Sequence, residues 1–148
     1  MLKVLNRLYQ EEMKILSVNS DAILLQVSED GLSSEKLGII LTNLYPDLQQ
    51  NYLNMCFNES LKKGKIYFFN KVTPAIIVAP FKHGCLDNYD NNYILEFVKK
   101  INSVKDKLKL ETLSVEKSKL TEEQIQILKD NKTFKIKLFD KTEFLQEI

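Results

Sequence analysis

Residues 22–46 read AILLQVSEDGLSSEKLGIILTNLYP and contain the signals of one strand and two helix starts. Its first six residues form a nearly continuous apolar run, which is typical of a strand covered on both faces. Ser33 or Ser34 can cap the helix that follows. The apolar positions of that helix recur at helical spacing, at Leu37, Ile40, Leu41 and Leu44. Pro46 suits the first turn of a second helix, so the stretch predicts an α/β unit.

The rest of the chain continues this alternation of strands and helices. Further strands are predicted at residues 3–9, 65–69, 75–79, 110–115 and 134–139. The helix that begins at Pro46 is expected to be stopped by Gly64, because glycine often ends helices. A long amphipathic helix is predicted over residues 92–109, and another begins after Thr121, which can cap it.

These elements predict a single domain over residues 1–148. The expected fold class is α/β, with a three-layer α/β/α architecture around a mixed sheet. Ligands of such sheets bind beyond the carboxyl ends of the strands. The candidate cleft therefore comprises residues 28–34, 80–87 and 116–120.

The composition is that of an ordinary globular protein, with 44% apolar and 28% charged residues. The sequence contains no apolar run long enough for a membrane span and no signal-peptide pattern at its start, which predicts a cytoplasmic protein. Two cysteines and one histidine are too few for a disulfide framework or a Cys/His zinc site. We therefore expect neither a bound metal nor a cofactor.

Charge is distributed unevenly along the chain. Residues 1–60 carry 4 basic and 8 acidic side chains, whereas residues 61–148 carry 17 basic and 12 acidic ones. A basic half of this kind can face phosphate groups. Its lysines are interspersed with acidic residues, which argues for a solvated surface and against a general nucleic-acid interface.

Local motifs along the chain resemble those of macrodomains, and most of all those of the DarG group, which reverses ADP-ribosylation of DNA. Asp21-Ala22-Ile23-Leu24 resembles the family's strand entry, and Val27-Ser28 stands at its Val-Asn pair. Tyr45-Pro46 is similar to the aromatic-proline pair that closes the next helix. Gly64-Lys65-Ile66 resembles a second strand entry, and Pro80-Phe81-Lys82 resembles the Pro-x-Lys motif of the DarG group.

The resemblance implies a macrodomain fold, an ADP-ribose-type ligand and a set of site residues. Lys82 stands where the DarG group has a lysine implicated in catalysis. Ser28 takes the place of an asparagine that contacts the distal ribose, and Gly31 belongs to the first phosphate loop. Glu12, or else Glu11, takes the acidic position that accepts from the adenine amino group.

The departures from the family pattern concern its glycines. Gly31 is the one glycine kept of three in the first loop, and residues 114–119 hold the place of the second glycine-rich loop without any glycine. Glycine at such positions lets backbone N–H groups approach phosphate closely. We therefore expect binding without hydrolysis rather than hydrolysis.

Elementary chemistry gives each candidate a functional and a structural interpretation. Lys82 can react or hold a phosphate if its pKa is lowered, or it is an exposed loop lysine. His83 can act as a general acid or base, with Asp87 and Asp90 as the carboxylates expected near it, or it is a loop histidine that hydrogen-bonds locally. Phe81 can stack on a base or ribose, or it packs in the core.

The remaining candidates are phosphate ligands. Ser33 and Ser34 precede a helix whose N-terminus can bind an anion, although Glu35 in its first turn favours simple capping. Lys117, in the segment that replaces the second loop, completes the ligand-binding set.

The predicted function is binding of ADP-ribose, a related nucleotide or an ADP-ribosylated macromolecule. An enzyme of this kind would be an ADP-ribosyl glycohydrolase, and nucleic acid would then enter as a modified substrate. The alternatives are a non-catalytic protein-interaction module on the same scaffold, with a protein partner, and a phage-type sponge for a nucleotide signal.

Overall fold

The computed structural model describes residues 20–31 and 36–139, apart from the side chains of Lys36 and Ile40. The predicted strand at residues 3–9 lies outside these residues. In chain order, the elements are β1 (Ala22–Ser28), α1 (Lys36–Leu44), α2 (Pro46–Phe57), β2 (Tyr67–Phe69), β3 (Ala75–Lys82), α3 (Asn91–Leu108), β4 (Thr112–Glu116), α4 (Glu122–Lys129) and β5 (Lys135–Phe139).

The five strands form one mixed sheet in the order β2-β3-β1-β4-β5. β2 runs antiparallel to β3, and the other neighbouring strands are parallel. All seven residues of β1 are buried, as expected for a central strand covered on both faces.

Helices cover both faces of the sheet, which confirms the predicted three-layer α/β/α architecture. On one face, Ile23 and Leu25 of β1 share a buried cluster with residues of α1 and α2, among them Leu41 and Tyr52. On the opposite face, alternate strand residues share a second cluster with α3 and α4, through Ile94, Phe97, Ile101 and Leu128. The alternation follows from the two-residue period of a strand.

The helix boundaries follow the capping signals. Pro46 opens α2, as predicted. The Asp90 carboxylate accepts a hydrogen bond from the amide of Asn92 at the start of α3. Thr121 caps α4 in a reciprocal capping box with Gln124.

Gly64 does not end α2, so this prediction was wrong. The helix ends at Phe57, with Asn58 as its C-cap, and Glu59 follows in the left-handed region at φ 62°. Gly64 lies farther along, in the turn before β2, where its φ of 82° favours a residue without a Cβ.

β3 is longer than predicted and extends beyond Pro80 to Lys82. β2 pairs with β3 over Ile76–Val78, so β3 has passed this neighbour before it reaches the proline. A proline lacks the N–H of a ladder hydrogen bond and is tolerated where a strand has an unpaired side. Pro80, Phe81 and Lys82 are therefore strand residues rather than loop residues.

β1 meets its two neighbours in different ways. It is in register with β3 from Ala22 to Ser28, with one register shift after Val27. Its register with β4 comprises Ala22 with Leu113 and Ile23 with Ser114. Nearer the carboxyl end, the side-chain amide of Gln26 donates to the carbonyl of Glu116 at 3.0 Å.

In the described part of the chain, no helix has the length and apolar character needed to cross a membrane.

Candidate functional site

The carboxyl ends of β1, β3 and β4 lie at one edge of the sheet, because these strands are parallel. They end at Ser28, Lys82 and Glu116. This edge is where α/β sheets bind ligands. The segments that follow these three strands therefore define the candidate site.

Lys82, the last residue of β3, is a buried cation at this edge. The residue is 5% exposed, and its Nζ donates to the carbonyl oxygen of Cys85 at 2.8 Å. The same Nζ lies 5.5 Å from the centre of the Tyr89 ring, a cation–π distance. These contacts hold the ammonium group at a fixed place on the edge.

A cavity of about 480 Å³ opens beside Lys82. One wall consists of Lys82 and the loop that follows β3, including Leu86 and Tyr89. The other wall consists of Lys119 and the first turn of α4. The volume lies within the range of about 300–1,000 Å³ that is common for small-molecule sites.

A second polar cluster surrounds the carboxylate of Glu29, directly after β1. Glu29 is 7% exposed and accepts three hydrogen bonds. Its Oε2 accepts from the backbone amide of Lys63 at 2.7 Å. Its Oε1 accepts from the Tyr93 hydroxyl at 2.9 Å and lies 2.8 Å from Nδ1 of His83. One carboxylate thus joins the β1 loop to three other segments.

These contacts determine the pKa values of the cluster. Burial alone raises the pKa of Glu29, but the hydrogen bonds from His83, Tyr93 and the Lys63 amide lower it below its ordinary value. Burial and the adjacent Glu29 carboxylate raise the pKa of Tyr93 to about 12. Glu29 is therefore ionised and Tyr93 neutral at pH 7.

The next residue, Asp30, closes the β1 loop onto the β3 loop. Its Oδ1 accepts from the Ser28 hydroxyl at 2.5 Å, and its Oδ2 accepts from the amide of Cys85 at 2.9 Å. The Ser28 carbonyl accepts from the Tyr52 hydroxyl at 2.8 Å. Ser28 is thus held within the loop network.

Gly31 follows at φ 81°, in the left-handed region that favours glycine. A Cβ at this position would lie 3.4 Å from Leu53 Cδ2 and 3.5 Å from Cys56 Cβ. Two smaller cavities, of about 170 and 340 Å³, border Gly31.

The comparisons with known proteins find similarity in structure and not in sequence. No protein-family model matches the chain, and no curated protein matches it. The macrodomain of Thermus aquaticus DarG superposes with a TM-score of 0.71 at 15% identity, over 84% of this chain and 92% of that one. The macrodomain of Mycobacterium tuberculosis DarG has a TM-score of 0.70 at 14% identity, over 84% and 91%. The chain has the macrodomain fold.

A third solved structure is that of Thermosipho africanus DarTG in complex with ADP-ribose. It has a TM-score of 0.69 at 14% identity, over 84% of this chain and 39% of that one. At these identities the similarity establishes the macrodomain fold.

Lys82 and His83, two predicted site residues, have different surroundings at the carboxyl edge of the sheet. Lys82 lines the large cavity, as a buried residue at the end of β3 rather than in a loop. The side chain of His83 is 75% exposed, and its carboxylate partner is Glu29. The expected partners have other roles, because Asp87 accepts from the Gly84 amide and Asp90 caps α3.

Phe81 belongs to the core, so its predicted contact with a ligand is corrected. It has no exposed surface, and its ring packs edge-to-face against Phe97 at 5.4 Å and Tyr89 at 5.6 Å. A ring without an exposed face cannot stack on a nucleotide.

The segment after β4 is shorter than the sequence indicated. Ser114 and Val115 are strand residues, as the predicted strand at residues 110–115 requires, and β4 continues to Glu116, so the loop begins at Lys117. Lys117 is exposed, and its amide donates to the carbonyl of Phe139 at 3.0 Å. Glu12, Ser33 and Ser34 lie outside the described residues.

Sequence reasoning missed Glu29 and Gln124. An acidic residue directly after a buried strand was a signal for Glu29, but its partners come from distant segments. Gln124 completes the Thr-x-x-Gln pattern of a capping box, which is readable from the sequence. Among residues 20–31 and 36–139, no group of three His, Cys, Asp or Glu side chains is arranged to hold a metal ion.

Proposed function

We propose that this protein binds ADP-ribose or a related nucleotide, free or attached to a macromolecule, at the carboxyl edge of its sheet. The observation that carries the proposal is the buried cation of Lys82 in the wall of a cavity of about 480 Å³. A macrodomain fold and a cavity of ligand size at the expected edge support it.

The lysines of the lining favour an anionic ligand in this cavity. Lys82 and Lys119 both line it, and Asp87, which also lines it, accepts from the Gly84 amide. A lysine ammonium group is a compact positive charge of the kind that binds phosphate. Lys117 is an exposed third cation on the same loop as Lys119.

The β1 loop offers less to a phosphate. The amides of Lys63 and Cys85, which are donors of the kind that cradle phosphates, already donate to Glu29 and Asp30. Two carboxylates therefore occupy the side of the edge that holds Ser28 and Gly31. The diphosphate of the ligand would lie toward Lys82 and Lys119. Ser28 is 1% exposed and its hydroxyl donates to Asp30, so its predicted contact with the ligand is corrected. Gly31 borders the two smaller cavities instead.

Calorimetric titration with ADP-ribose tests the proposal. We expect a dissociation constant of about 100 µM or tighter, equivalent to about −5.5 kcal/mol. Lys82→Met keeps the length of the side chain and removes its charge, so it should weaken binding at least about tenfold. The matched control is Lys99→Met, because Lys99 is an exposed lysine on α3 that pairs with Glu96. Absence of heat with folded wild-type protein would overturn the proposal.

We expect the protein to bind its ligand without hydrolysing it. If the site does hydrolyse, incubation with an ADP-ribosylated macromolecule will release ADP-ribose, and Lys82→Ala will abolish the release. Unchanged release in that variant would remove Lys82 from the mechanism. A sponge for a nucleotide signal would instead bind its ligand tightly and form no product.

The alternative, a protein-interaction module, has its own supporting observation on α2. Phe57 is 92% exposed and, with Leu53, borders the cavity of about 340 Å³. Because an aromatic side chain lies beside a cavity on the same face, two copies related by a twofold axis could each place Phe57 in the other's cavity. Light scattering would then give a dimer that Phe57→Ser converts to a monomer. A monomeric wild type would remove self-association through Phe57 as this interaction.

A further inference from the structure

Gln124 is the buried polar group that connects the two walls of the large cavity. The residue is 4% exposed and lies in the first turn of α4. Its Nε2 donates to the carbonyl of Tyr89 at 3.0 Å and to Oδ1 of Asn91 at 3.0 Å. Its Oε1 accepts from the amide of Thr121 at 3.0 Å.

The side-chain amide of Gln124 donates both of its hydrogens. Its oxygen bonds within the wall formed by the start of α4, and its nitrogen bonds to the opposite segment at Tyr89 and Asn91. The oxygen completes the capping box at the start of α4, together with the bond from the Gln124 amide to the Thr121 hydroxyl. The nitrogen holds the loop after β3. A glutamate at position 124 would also complete a capping box, but an ionised carboxylate donates no hydrogen bond.

The loop that Gln124 holds is the one that carries the partners of Lys82. Tyr89, whose carbonyl accepts from Gln124, presents its ring to Nζ of Lys82. The same ring packs against Phe81 in the core. A displacement of the Tyr89 backbone would therefore move the aromatic face that holds the ammonium group.

We infer that Gln124 is a positioning residue, which sets the separation of the two cavity walls and, through Tyr89, the place of the Lys82 ammonium group. The inference rests on the proposed function insofar as it concerns a ligand. Gln124 has no free hydrogen to offer a ligand, so its effect on binding is indirect.

Gln124→Glu tests this role, because it preserves the acceptor of the capping box and removes both donors. At pH 8 the carboxylate will face the Tyr89 carbonyl, and we expect ADP-ribose to bind about tenfold more weakly than to the wild type. At pH 5 a protonated carboxyl group regains one donor, and the ratio of the two affinities should narrow to about threefold. The new carboxylate would also repel an anionic ligand and act on Lys82, Lys119, Cys85, Asp87 and Tyr89, the titratable groups of the same cavity. The uncharged variant Gln124→Met is therefore measured in parallel, and the part of the loss that both variants share is assigned to positioning.

An unchanged affinity at pH 8, or a loss that does not depend on pH, would overturn the inference. Thermal unfolding of the variant separates folding from positioning, since the retained capping box should keep the fold. If Gln124→Glu does not fold, Gln124→Met provides the second variant. It removes the amide, keeps the length of the side chain, and should weaken binding at both pH values.

A measurement without ligand keeps this inference separate from the proposed function. Lys82 is buried, so an amine-acylating reagent should modify it more slowly than the exposed Lys99. In Gln124→Met, which loses the bond to Tyr89 without adding a charge beside Lys82, we expect the ratio of these rates at pH 8, followed by mass spectrometry, to rise several-fold. If the wild type does not bind ADP-ribose, the proposed function fails. An unchanged acylation ratio in the variant would instead refute the positioning role of Gln124.

Discussion

The two sides of β1 differ in how they are joined to the rest of the sheet. Toward β3, strand pairing continues from Ala22 to Ser28, and Glu29 then extends the connection with its three hydrogen bonds. Toward β4, registered pairing covers Ala22 and Ile23 at the amino end, where Asp21 accepts from two amides of the incoming strand. Near the carboxyl end, the Gln26 side chain makes the link.

The carboxyl edge has two regions of different construction. At Glu29, hydrogen bonds join the loop after β1 to three other segments. The cavity takes its lining from Lys82 at the end of β3, the loop that follows, Lys119 and the start of α4. We expect substitutions around Glu29 to affect mainly stability and substitutions in the cavity lining to affect mainly binding.

The largest effect is expected from Glu29→Ala. The substitution removes a buried acceptor and leaves the Lys63 amide and the Tyr93 hydroxyl without their partner. Loss of a buried, charged hydrogen-bond hub costs about 3 kcal/mol of unfolding free energy. Urea denaturation at pH 7 measures it.

The control for this loss is Glu96→Ala. Glu96 is a glutamate on α3 whose pair with Lys99 is exposed to solvent, so its removal should cost less than about 0.5 kcal/mol. Equal costs for the two variants would mean that the contacts of Glu29 do not hold the β1 loop.

Acidification should remove part of the same contribution. The pKa of Glu29 is lower in the folded protein than its ordinary value of about 4.3. Its contribution is therefore fully present above pH 4.3 and is lost as the pH falls through the folded pKa. Denaturation between pH 7 and pH 3 should show a smaller loss of stability for Glu29→Gln than for the wild type. Parallel curves would exclude Glu29 as a source of the pH dependence.

The architecture could be predicted because it depends on local patterns. The apolar run of β1, the spacing of apolar residues in α3 and the Thr121 cap each act within one segment. The wrong end predicted for α2 has a local cause as well. Gly64 predicts a C-cap, whereas the helix ends at Phe57 and Asn58 caps it through its backbone amide.

The site was less predictable because its contacts join distant segments. The partners of Glu29 come from positions 63, 83 and 93, and no periodicity in the sequence brings these together. Lys82 was found through resemblance, but its burial depends on how far β3 continues past Pro80. The ligand contact predicted for Phe81 was wrong for the same reason. Because β3 continues past Pro80, Phe81 is a strand residue and its ring lies in the core.

Gln26→Leu tests the side-chain link on the β4 side. Leucine fits the buried position in volume but removes the donor to the Glu116 carbonyl, so a cost of about 1.5 kcal/mol is expected. Hydrogen exchange should accelerate in β4 more than in β3. The control is Gln50→Leu, because Gln50 bonds to Asn54 on an exposed face. Equal acceleration in both strands would contradict the view that this link serves β4.

The smallest effect is expected from Asp21→Asn at the amino end. The Asp21 carboxylate accepts from the amides of Glu111 at 2.8 Å and Thr112 at 3.0 Å, and these bonds lower its pKa. Asparagine keeps one acceptor oxygen and loses the charge, and Ala22 and Ile23 still pair with β4, so the cost should be about 1 kcal/mol. Asp106→Asn, at an exposed aspartate, should cost less than about 0.5 kcal/mol. A larger cost for Asp21→Asn than for Gln26→Leu would contradict this order. It would mean that the Asp21 carboxylate at the amino end, rather than the Gln26 side chain, contributes most to joining β1 to β4.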